Sequence, residues 1–171
     1  MIDALLRDLR QPEYLHVLLN PLPLYGLAIG VLGLLVAICL GSRGGQAALL
    51  MVMVVCSAMA WPVFELGELS SDRIVALTDE DGRAWLEAHE HRAEQFLPFF
   101  YAVAIVSLVA LLVPIKFPRT SLLLSVVAFL FGAVVVGMAG YIGYAGGKIR
   151  HPEFRTGPPP EAADRQNATS D

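Results

Sequence analysis

Charge is missing from four long stretches of this chain. Residues 17–42, 44–64, 95–115 and 120–147 contain no Asp, Glu, Lys or Arg. Each is long enough to cross a hydrocarbon core about 30 Å thick, for which a helix needs about 20 residues. A soluble fold is excluded by the same stretches, because one domain of 171 residues cannot hide so much contiguous apolar chain. In lipid every backbone N–H and C=O must bond within its own segment, so helices are expected. The pattern predicts an all-α integral membrane four-helix bundle with both termini on one side. Its spans fall at about 20–41, 45–65, 94–115 and 120–146, within a transmembrane domain of residues 17–155.

Cysteine is scarce as well. Cys39 and Cys56 are the only two, so no disulfide framework exists, and both fall in apolar spans where they read as small packing residues. Thiolate metal sites are thereby excluded, leaving imidazole and carboxylate for any metal such as iron, zinc or copper. Other signatures are absent too. There is no phosphate-binding glycine loop, no Gly-x-Ser-x-Gly elbow and no His-Glu-x-x-His. The run His89-Glu-His-Arg-Ala-Glu94 lacks the second His of that last motif. No ionisable residue lies at mid-depth in any span, which argues against a transmembrane ion pathway. Nucleic acid is not an expected partner of a chain with net charge −4; the bilayer is.

The segment before the first span, residues 1–16, is mixed. Ile2, Leu5, Leu6 and Leu9 recur at helical spacing between charged residues, which predicts an amphipathic lead-in lying at the membrane surface. The first apolar block is longer than a signal h-region, so Met1 is expected to be retained. Pro12, Pro21 and Pro23 are expected to break or kink the entry into the first span. The second span is expected to end around Trp61–Glu65, followed by the one sizeable connection, 66–93. Within it, Thr78-Asp-Glu-Asp-Gly82 offers a turn and an N-cap. A helix then runs from about Arg83 into the third span. Gly137, Gly140, Gly143 and Gly146 repeat every three residues in the fourth span, as close-packing positions or as room for a flat cofactor. The tail, 156–171, has almost nothing to bury and is expected to be disordered.

What the chain does hold is a one-sided rim. All sixteen acids, all four histidines and nine of the twelve basic residues belong to the side of the termini. The short loops opposite carry only Arg43, Lys116 and Arg119. Counting Lys and Arg alone puts the rim in the cytoplasm, although the short loops are themselves purely basic. His16, His89 and His151 arise at three different helix ends, each with a carboxylate one to three residues away. Two neutral imidazoles from different helices can ligate a haem iron. Glu13-x-x-His16 and His91-x-x-Glu94 have the spacing of four-helix di-metal carboxylate sites. Glu87, Glu90, His91 and Glu94 share one helical face. The candidate ligands are therefore His16, His89 and His151 for a haem b. A metal set adds Glu68, Glu90, Glu94 and Glu153, and Arg150 is a partner for a haem propionate.

The exit of the fourth span, Gly146-Gly-Lys-Ile-Arg-His-Pro-Glu-Phe-Arg155, resembles a Gly-Gly-x-Ile-Arg-His-x-Glu signature of small bacterial four-helix membrane proteins. Leu15-His-Val-Leu-Leu-Asn20 with Leu22-Pro23, the stretch from Pro62 through Gly67-Glu68, and His89-Glu90 with Glu94 are similar too. This chain has Pro21 where that pattern often has a second His. Distantly similar four-helix domains occur fused to Rieske or c-type cytochrome domains. The resemblance implies a bacterial inner-membrane protein, a redox setting with a redox protein as partner, and a rim facing the periplasm. The expected function is a binding or electron-transfer module with a haem or metal at the rim. The alternatives are a non-catalytic subunit that docks a partner and a carboxylate di-metal oxidase. A homo-oligomer is compatible with any of them.

Overall fold

A computed structural model describes residues 6–157 of the chain. Residues 1–5 of the lead-in and 158–171 of the tail lie outside the described residues. The described chain is helical with no strand, and four of its helical rods are long and apolar enough to cross a membrane.

The first rod runs Pro12–Cys39. It starts as α1 (Pro12–Leu19), with proline in the first turn, where its missing N–H costs nothing. Pro21 and Pro23 do not break it. The ladder, lacking their N–H donors, widens into a π-helical turn, Leu22–Gly26, and resumes as α2 (Leu27–Cys39). The last five residues of the expected surface lead-in, 12–16, thus belong to the first rod, packed against α4. Gly41, at φ +62°, adopts the left-handed conformation that stops α2. The Ser42 hydroxyl then accepts from Gly45 N at 3.2 Å to start the next rod.

That rod comprises α3 (Arg43–Ala58) and α4 (Ala60–Leu77). It does not stop near Glu65 as the apolar pattern suggests. Helix continues twelve residues further, about 18 Å at 1.5 Å per residue. After the turn at Thr78–Asp79, α5 (Glu80–Lys116) begins with Asp79 capping Gly82 N at 2.9 Å. The connection between spans is therefore two helical extensions joined by a tight turn. A short 3₁₀ turn, Pro118–Thr120, leads into α6 (Ser121–Arg150), and another, Pro152–Phe154, follows it.

The core is built by close approach. Met53 is fully buried, and a Cβ on Gly30 or Gly132 would meet its side chain at 2.9 and 2.6 Å. Three helices thus meet around one flexible thioether. The glycine repeat of α6 does not act as one stripe: Gly137 and Gly140 face open space, whereas Gly146 lies against His89. Leu32, Ile105, Ile115 and Leu123 are exposed around the outside, the surface that lipid covers.

Above the spans, Trp85, Leu86, Ala145 and Ile149 form a second small core. Lys148 is buried against it, with its ammonium 4.4 Å from the Trp85 ring centre and 2.6 Å from the Tyr144 hydroxyl. Arg155 closes this end. Its guanidinium donates to the carbonyls of Lys148 and Ile149 at 2.8 and 2.7 Å, and to Asp79 Oδ2 at 2.7 Å. One side chain therefore caps the end of α6 and ties it to the start of α5. Hydrogen bonding to this guanidinium holds the Asp79 carboxyl below its usual range, and the same bond raises Arg155 further.

Candidate functional site

Two of the three candidate histidines come together. His16, from α1, and His89, from the extension of α5, have ring centres 6.5 Å apart and planes at 79°. Both line a cavity of about 70 Å³ at the rim end of the bundle. The cavity descends from His89 past Ala93 and Leu97 to Phe100, with Asn20, Pro23 and Phe64 on other walls.

Each imidazole is held by the helix that follows it in its own hairpin. His16 Nδ1 lies 2.8 Å from the Val63 carbonyl, and His89 Nδ1 lies 3.0 Å from the Ile142 carbonyl. A carbonyl only accepts, so each Nδ1 carries the proton. In a neutral ring that leaves Nε2 with a free lone pair, the form in which histidine binds metal. The fixed tautomer is the most informative chemical feature of the site.

His151 is elsewhere. It is exposed, does not line the cavity, bonds Glu153 at 2.9 Å and stacks on Phe154. Glu153 is exposed too, and its bond to His151 holds its carboxyl below the usual range. Arg150 is exposed beside them. The expected three-histidine convergence is thus corrected to a pair. After α6 ends at Arg150, the 3₁₀ turn Pro152–Phe154 and the Arg155 anchor engage the chain at the tip of the extension.

The carboxylates do not complete a metal site. Glu13 pairs with Arg73, so its spacing to His16 serves the packing of α1 on α4. Glu68 and Glu94 are exposed, as is His91. Glu90 is half-buried, with Oε1 shielded from solvent and without a hydrogen-bond partner. Among the described residues no three His, Cys, Asp or Glu side chains are arranged to hold a metal ion. Both Glu-x-x-His spacings are real in sequence, but neither is part of a three-ligand group among the described residues.

Two positions that sequence reasoning did not single out as site residues belong here. A Cβ on Gly67 would meet only His16, at 3.1 and 3.2 Å, and one on Gly146 would meet only His89, nearest at 3.1 Å. Each glycine makes room for an imidazole. The available signal was His89 heading a stripe with Ala93, Leu97 and Phe100, which marks an inward-facing histidine.

Fold and site together define a multi-pass helical membrane bundle with a paired-imidazole cavity at one end. Comparisons with family models, with curated proteins and with solved structures find no match to this chain.

Proposed function

We propose that this protein is a haem-binding electron-transfer module of a membrane, in which His16 and His89 would hold the haem iron. The observation that carries this reading is the pair of imidazoles whose Nδ1 atoms are both committed to backbone carbonyls beside one cavity. Two imidazoles that both held one ion through bonds of about 2.0–2.1 Å would have their ring centres at most about 6.4 Å apart. The observed separation is 6.5 Å.

Ligand number favours haem over a bare ion. A structural zinc takes four protein ligands and a catalytic one takes three. Here no third ligand joins the pair among the described residues. A haem brings four nitrogens of its own and asks the protein for two. The present cavity of about 70 Å³ is far below the roughly 300–1,000 Å³ of a typical ligand pocket. Seating a macrocycle would require the lining helices to part. The small side chains of Ala60, Ala93, Ala139 and Gly143 on its walls ease that step.

Haem, when bound, supplies one-electron chemistry. A haem held by His16 and His89 together would serve electron transfer rather than substrate chemistry. The protein's own residues orient the ligands and keep the cavity largely apolar. Exposed acids of the rim, including Asp72, Glu80, Asp81 and Glu87, suit docking of a basic redox protein. In this reading the rim faces the periplasm of a bacterial inner membrane, as the resemblance of the Gly146–Arg155 exit implies.

The test is an absorption spectrum and metal analysis of the protein purified in mild detergent. A Soret band with one iron per chain supports the reading. Zinc or copper without a Soret band replaces haem with a bare ion. With neither, the acidic rim serves only to dock a partner protein.

A further inference from the structure

We infer that the cavity is assembled from two equivalent half-sites, one in each helical hairpin, with Gly67 and Gly146 as positioning residues. The first hairpin supplies His16, the Val63 carbonyl and Gly67. The second supplies His89, the Ile142 carbonyl and Gly146. In both, the acceptor and the glycine lie four residues apart, one turn along the second helix of the hairpin. In both, the imidazole donates Nδ1–H to the carbonyl, at 2.8 and 3.0 Å. Its ring then rests where the glycine side chain would be, nearest at 3.1 Å in each case.

The match is not a general property of glycine in this bundle. Gly30 and Gly132 face Met53, and Gly26 faces Cys56. At Gly67 and Gly146 alone the neighbour of an added Cβ is an imidazole and nothing else. The half-sites thus repeat one pattern of histidine, carbonyl and glycine in the two hairpins. The corresponding ligand class is one that takes two equivalent neutral nitrogen donors, one from each hairpin. That ligand assignment rests on the haem reading; the equivalence of the half-sites does not.

An added methyl at either glycine pushes on the imidazole Cε1–Nδ1 edge and so on the carbonyl bond that fixes the tautomer. Disturbing such an outer hydrogen bond costs a metal-ligating histidine about 10–100-fold in affinity. Gly140→Ala is the control, because a Cβ there meets nothing within 4 Å.

The experiment combines ¹⁵N-histidine NMR of the protein in lipid nanodiscs with haem titration. His16 and His89 are both expected as the Nδ1–H tautomer. Gly67→Ala moves only the His16 resonances, Gly146→Ala only those of His89, and Gly140→Ala neither. Each of the first two weakens haem binding about 10–100-fold. The half-sites are overturned if either histidine is the Nε2–H tautomer, or if Gly67→Ala and Gly146→Ala leave the resonances unmoved. They are overturned too if haem binds the wild type and both variants equally. If the tautomers and selective shifts appear but haem never binds, the equivalence stands and the haem reading falls.

Discussion

Gly82 probes how tightly the rim is locked. It lies in the first turn of α5, where a Cβ would fall closest to Thr78 Cγ2, then 2.5 Å from the Ile149 carbonyl oxygen and 2.6 Å from Asp79 Oδ1. An unstrained carbon–oxygen contact is about 3.3–3.6 Å. Gly82→Ala therefore forces α5 and the end of α6 apart by the better part of an ångström. The Ile149 oxygen cannot yield cheaply, since it is backbone and already accepts from Arg155 at 2.7 Å. Overpacking of this kind costs about 1–3 kcal/mol. For a chain of this size each kcal/mol shifts the melting temperature by about 2–4 °C. Thermal unfolding followed by circular dichroism in detergent should show a fall of about 2–12 °C. His89 stands two turns further along the same helix, so haem retention should weaken as well. A Gly82→Ala protein with wild-type melting and wild-type haem retention would refute the close α5–α6 contact.

Stability should also depend on acid pH through the same lock. The Asp79 carboxyl is held below its ordinary range by Arg155, so its contribution is complete above the unfolded value near 3.9 and is lost as pH falls through the folded one. Melting temperature measured from pH 6 down to 2.5 should drop for the wild type below about pH 4, and Asp79→Asn should flatten part of that slope. Met53→Ala removes a fully buried side chain threaded between two glycines and should cost about 2–5 kcal/mol, read from denaturant unfolding in mixed micelles. His151→Ala should leave haem loading and the visible spectrum unchanged, because that imidazole bonds Glu153 and stacks on Phe154 away from the cavity; a lost Soret band would return His151 to the site.

The spans are legible because lipid excludes charge, and four charge-free blocks admit little else. The Asp79 cap was equally open to reading, since capping is local chemistry within a few residues. Where helices pass through polar sequence, the pattern misleads. Leu66–Leu77 carries acids and serines, yet it stays helical because Ile74 and Ser70 pack inward against neighbouring elements. The site was half legible. Counting charged neighbours drew attention to Glu87, Glu90, His91 and Glu94, a face that is largely solvated. His89 instead continues the apolar stripe below it. Its partners are a backbone carbonyl 53 residues away and a glycine notch, and for His16 the carbonyl is 47 residues away. Backbone acceptors carry no side-chain signature, so such pairings emerge only from tertiary register.

The central claim is that His16 and His89 act as a ligand pair. Titrating haemin into the purified protein in lipid nanodiscs, beside His16→Ala and His89→Ala, tests it most directly. One haem per chain with a six-coordinate low-spin spectrum, lost in each single variant, is the predicted result. A wild type that takes up no haem, or a variant that binds it with an unchanged spectrum, would contradict it.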